Sequence, residues 1–105
     1  DGNMYALTKE GKINIYFKGE KKNTFESGLP VTDHTRLVAA AASDAPQFAV
    51  INPVTKRAYF LDKTNGTLTT TFKLDSIGEL KDTAMSPDGV LWLLSADNKL
   101  WQIKP

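Results

Sequence analysis

The sequence predicts an all-β fold, a partial β-propeller of about two and a half four-stranded antiparallel blades with a repeat of about 43 residues. Three observations predict it. Short β-type runs alternate with turn residues along the whole chain. The runs recur at nearly constant spacing. Each recurrence holds the three or four strands that make a propeller blade.

The elements follow in order. Met4-Tyr5-Ala6-Leu7 is followed by Lys9-Glu10-Gly11 and the alternating run Ile13-Asn14-Ile15-Tyr16-Phe17, which reads as two strands around a tight turn. A further strand is expected near Thr24-Phe25-Glu26. Phe48-Ala49-Val50-Ile51 and Ala58-Tyr59-Phe60-Leu61 flank the turn Asn52-Pro53-Val54-Thr55. Asn65-Gly66 is a strong hairpin signal before the Thr-rich run from Leu68 to Leu74. Thr83-Ala84-Met85, Ser86-Pro87-Asp88-Gly89, Val90 to Leu94, Asp97-Asn98 and Leu100 to Ile103 complete the pattern. Asp33 to Ala42 is ambiguous, because alanine favours helix and Thr32 or Asp33 could cap one. The repeat demands an inner strand there, so a strand from Arg36 to Ala41 is expected instead.

The period rests on a choice of register. Superposing Tyr5, Tyr59 and Trp92 needs steps of 54 and 33 residues, whereas Met4, Phe48 and Leu91 superpose with steps of 44 and 43. The nearly equal steps are preferred. In that register Ile13, Ala58 and Leu100 open the next strand, six, seven and six residues beyond Leu7, Ile51 and Leu94. Residues 1–30 are then strands two to four of one blade, 31–76 a full blade, and 77–105 strands one to three of a last blade. A lone blade cannot bury its faces. The rest is expected from a longer parent chain or from other copies, and the start at Asp1 rather than Met suggests a chain cut from something longer.

Composition narrows the function. Thirteen basic and twelve acidic residues give a net charge of +1, against a general nucleic-acid or membrane-surface role. The absence of cysteine excludes disulfides, thiolate zinc sites and a cysteine nucleophile. No apolar run approaches the roughly 18–20 residues that span a bilayer, so no membrane contact is expected of this segment. No Gly-rich phosphate loop is present, since Gly66 and Gly89 read as hairpin turns.

The run Asp82-Thr83-Ala84-Met85-Ser86-Pro87-Asp88-Gly89-Val90-Leu91-Trp92-Leu93-Leu94 resembles blades of the NHL and YVTN-like propellers, which carry an apolar inner strand, a Pro-Asp-Gly turn and an aromatic-containing second strand. A closer resemblance covers Gly11 to Lys104. It is to the C-terminal propeller region of bacterial membrane proteins that also carry a PP2C-type phosphatase-like domain. Its motifs here are Gly11-Lys12-Ile13, Phe17-Lys18-Gly19, Ser27-Gly28-Leu29-Pro30, Thr35-Arg36, Lys56-Arg57, Leu61-Asp62-Lys63 and Lys99-Leu100-Trp101-Gln102-Ile103-Lys104. The resemblance implies a sensing or docking region, in an extracytoplasmic part of a membrane-anchored protein. It implies no phosphatase activity, because the metal-binding carboxylate motifs of that domain have no counterpart here. The Ala-rich stretch Leu37 to Ala42 departs from related blades, which carry larger β-formers.

The expected function is therefore a non-catalytic binding or sensory scaffold without a cofactor, its partners being further blades and an unidentified protein or small molecule. The alternative is a piece of a propeller lyase or lactonase whose site lies mostly outside the chain. His34 is the only histidine, so any triad or zinc site would have to be built around it, and its setting reads as an exposed loop. Asp44, Asp62, Asp75, Asp82, Asp88 and Asp97 are scattered through turns, where Asp bonds its own backbone, rather than clustered as calcium ligands. Lys18, Lys21 and Lys22 read as a solvated connection between outer strands. Trp92 shares a strand face with Leu94, and Trp101 with Ile103. Ligand contacts are expected from loops 30–35, 52–56, 75–81 and 86–89 at an open end, because loops on a rigid scaffold carry function. The candidate binding or docking residues are His34, Arg36, Trp92 and Trp101.

Overall fold

Alternating hydrophobicity and turn chemistry produce ten strands in the computed structural model, which describes residues 3–32, 34–38 and 46–104. They are β1 (Asn3–Leu7), β2 (Lys12–Phe17), β3 (Glu20–Glu26), β4 (Arg36–Val38), β5 (Gln47–Asn52), β6 (Arg57–Asp62), β7 (Leu68–Lys73), β8 (Leu80–Met85), β9 (Leu91–Ser95) and β10 (Leu100–Ile103). The described residues contain no helix. The inner strand expected from Arg36 to Ala41 is strand over Arg36–Val38, and the Ala-rich residues that follow lie outside the described residues, as does Asp33.

The strands form three antiparallel sheets, β1-β2-β3, β4-β5-β6-β7 and β8-β9-β10, each in sequence order. The repeat is visible in the register. Leu7 pairs with Ile13, Ile51 with Ala58 and Leu94 with Leu100, so the three hairpins share one register, the second extended by the pair Asn52–Arg57. A β-bulge recurs as well, between Ile15 and Tyr16 and between Phe60 and Leu61. Each falls between the fourth and fifth residues of the strand that follows the first hairpin, and the extra residue, Lys22 or Thr69 on the partner strand, adds local twist. Lys21 and Lys22 are exposed residues of β3 rather than of a connection, and only Lys18 lies in the β2–β3 turn.

The three sheets stack. β5 is almost wholly buried, and its period of two sends alternate residues to opposite sides. Phe48 and Val50 join Ile13, Ile15, Phe25 and Leu61 in a core against the first sheet. Ala49 and Ile51 join Ala58, Phe60, Leu91 and Leu93 in a core against the last sheet. The middle sheet is thus covered on both faces, which explains why β5 reads Phe-Ala-Val-Ile with no polar alternation. Among the described residues no sheet closes on itself, and β1, β3, β4, β7, β8 and β10 are edges.

Gly66 ties the first sheet to the second. It turns the chain between β6 and β7 at φ +74°, and a Cβ there would lie 2.4 Å from Cγ of Phe25 on β3. Only a residue without a side chain lets that ring close over the turn.

Candidate functional site

The seam between the second and third sheets carries a polar recess. Its frame begins at Asn52, the buried last residue of β5. The Asn52 Oδ1 accepts hydrogen bonds from the N–H groups of Val54 (3.1 Å) and Thr55 (3.3 Å), which bends the chain into the β5–β6 turn. Among the described residues its buried Nδ2 has no hydrogen-bond partner. Lys56 closes the turn in the left-handed region at φ 56°, where the equivalent β1–β2 turn uses Gly11 at φ 83°. That conformation strains a residue with a Cβ.

The strained turn is held by the β7–β8 connection. Lys56 Nζ donates to the Ile77 carbonyl at 3.1 Å, and the Leu74 N–H donates to the Lys56 carbonyl at 2.9 Å. Arg57 Nη1 reaches the carbonyls of Thr55 and Lys56 and pairs with Asp75 Oδ1 at 3.3 Å. The β5–β6 turn and the β7–β8 connection are therefore one clasped unit. On its far side stand His34 and Arg36, and the recess of about 430 Å³ between them is also lined by Pro53, Val54 and Glu79. A narrower hollow of about 90 Å³ continues beside Arg36 along β8, past Lys81 and Asp82.

The recess thus gathers His34, Pro53, Val54, Lys56 and Glu79, which fall in three of the four loops named from the sequence. It does not bring in 86–89. Leu80 at the start of β8 lines the recess, and residues 86–89 follow the other end of that strand. An antiparallel meander puts successive turns at opposite ends of a sheet, and the β8–β9 turn falls at the wrong end.

His34 and Arg36 share the recess. The His34 N–H donates to Thr32 Oγ1 at 3.3 Å, which fixes the loop as a hydroxyl-stabilised turn. Among the described residues no carboxylate is hydrogen-bonded to its imidazole, and no three of His, Asp or Glu gather as a metal site. Guanidinium, ammonium and carboxylate groups around this opening suit a small polar group held by charge and hydrogen bonds.

Trp92 and Trp101 are separated by the last sheet. Trp101 packs with Ile103 on the inner core. Trp92 lies on the outer face with Ala84, Leu94 and Leu100, around a shallow hollow of about 210 Å³. Each indole is anchored in the same way. Ser86 Oγ donates to Asp88 Oδ1 and accepts from Trp92 Nε1 at 3.3 Å; Ser95 Oγ donates to Asp97 Oδ1 and accepts from Trp101 Nε1 at 3.4 Å. The motif is tandem in the sequence. Ser86-Pro87-Asp88-Gly89-Val90-Leu91-Trp92 and Ser95-Ala96-Asp97-Asn98-Lys99-Leu100-Trp101 both place Ser, Asp, Leu and Trp at the same offsets. Reading the aspartates one by one as turn residues misses it; comparing the chain with itself at short offsets would have found it.

The serine hydroxyl bond is the largest influence holding each carboxyl below its ordinary range, followed for Asp88 by the Val90 N–H. A depressed folded-state value contributes stability above the unfolded aspartate value of about 3.9 and loses it as pH falls through the folded value. Stability should therefore decline below about pH 4, and the decline should be shallower in Asp88→Ala and Asp97→Ala. Urea midpoints between neutral and acid pH measure this; parallel profiles for variants and wild type would contradict it.

Together these features define an all-β protein of three stacked antiparallel sheets with a polar seam. No protein-family model and no curated protein matches the chain.

Proposed function

We propose that this chain is a run of β-propeller blades of the NHL or YVTN-like kind, acting as a non-catalytic interaction or sensory scaffold. Further blades, from its parent chain or from other copies, complete it. The observation that carries this reading is the contrast between one sheet covered on both faces and two equivalent sheets each open on one face. The closest approaches between sheets support it too. Among the described residues the backbones of different sheets approach most closely along β1, β4 and β8, while the outer strands β3, β7 and β10 make no comparable approach. Sheets that come closest along their inner strands are what propeller blades would give.

On this reading the seam recess with His34 and Arg36 takes the ligand, and the open face with Trp92 takes the next blade. The face can be tested with the dye ANS, at dilutions where sedimentation shows a monomer. The chain should bind the dye, and Leu94→Glu should reduce that binding several-fold with the far-UV circular dichroism unchanged. A chain that binds no dye, or a variant that binds it equally, would count against an open docking face.

A further inference from the structure

The recess on the seam carries charges of both signs that do not satisfy one another. Lys56 supplies the first. Its backbone sits at φ 56°, a position that Gly11 (φ 83°) and Asn98 (φ 65°) fill in the two equivalent turns. Glycine and asparagine tolerate that conformation, whereas a lysine is strained there. Strain of this kind clusters at functional sites. The Lys56 ammonium is held by the Ile77 carbonyl at 3.1 Å, which uses one of its three N–H donors and leaves two for a ligand. Arg36 supplies a second positive charge and lines both the recess and the narrower hollow beside it. Glu79 supplies a negative charge to the same recess. Among the described residues neither Arg36 nor Glu79 is in an ion pair, whereas Arg57, the other arginine, pairs with Asp75 at 3.3 Å.

We propose that the recess binds a free α-amino acid with an aliphatic side chain. Arg36 takes the carboxylate with its planar fork, and Lys56 donates to the same group. Glu79 accepts from the ammonium. Pro53, Val54 and Leu80, the apolar part of the wall, cover the side chain. Glu79 is what selects a zwitterion over a simple anion, because a like charge facing an anion costs affinity. The size fits as well, since about 430 Å³ falls within the roughly 300–1,000 Å³ of small-molecule sites. This inference rests on the reading above that the recess is the ligand site.

Titration calorimetry of the chain with L-leucine, leucinamide, 4-methylpentanoate and inorganic phosphate tests it. Leucine should bind, and leucinamide, which lacks the carboxylate, and 4-methylpentanoate, which lacks the ammonium, should each bind at least about tenfold more weakly. Arg36→Gln should weaken leucine at least about tenfold and leave leucinamide unchanged. Glu79→Gln should weaken leucine without weakening 4-methylpentanoate. Lys56→Asn, which puts the residue type of Asn98 into the left-handed turn, should weaken both. Equal binding of leucine and either analogue overturns the proposal, as does leucine binding that ignores these substitutions. Phosphate bound in place of leucine, and lost in Arg36→Gln, overturns the amino-acid assignment but leaves the recess standing as a ligand site. No binding of any probe overturns both.

Discussion

Phe60→Ala is expected to destabilise the protein by about 3–5 kcal/mol, the cost of emptying a fully buried aromatic site. Phe60 sits in the core between the second and third sheets, edge-on to Phe72 with ring centroids 5.6 Å apart. The site has little room to collapse, because β6 lies between β5 and β7 and is held by ladders on both sides. In a domain of this size the loss corresponds to a fall in Tm of roughly 12–40 °C, enough to leave a marginal fold largely unfolded at body temperature. Phe72→Ala, at the partly buried end of the same pair, should cost about half as much. Calorimetry on the two variants measures the ratio. Equal losses would mean that the core is centred on β7 rather than on β6.

Gly66→Ala is the second large effect, expected at about 2–4 kcal/mol. Two penalties combine. The residue sits at φ +74°, where an L side chain is strained, and its Cβ would lie 2.4–2.7 Å from ring and Cβ atoms of Phe25. Phe25 is itself buried between the sheets and cannot swing aside without opening that core. Gly19 separates the two penalties. Its φ is +81° but nothing lies within 4 Å, so Gly19→Ala should carry the backbone strain alone, about 1–2 kcal/mol. Urea denaturation of both variants gives the comparison; if they lose equal stability, the Phe25 contact contributes nothing.

Much of the fold is legible from local pattern. The equal-step register locates three hairpins, and the structure pairs Leu7 with Ile13, Ile51 with Ala58 and Leu94 with Leu100. A hairpin is decided by residues near one another in sequence, so its signals survive without tertiary knowledge. Which face of a sheet is buried is different. The period of two shows that Trp92 goes with Leu94 and Trp101 with Ile103, but which of these partly buried pairs packs against the neighbouring sheet depends on where that sheet lies. The grouping of His34 with Arg36 has the same character, because β4, the β5–β6 turn and the start of β8 meet only through stacking. The Lys56 clasp was not legible at all. A lysine in a left-handed turn position is recognised only when the Ile77 carbonyl that holds it is seen.

The stacked arrangement is tested most directly by amide hydrogen exchange, strand by strand. Burial on both faces predicts that β5 and β6, central in the one four-stranded sheet, exchange slowest, and that β1 and β10, edge strands of three-stranded sheets, exchange fastest. Uniform protection across the three sheets, or slower exchange in β10 than in β5, would contradict a stack centred on the middle sheet.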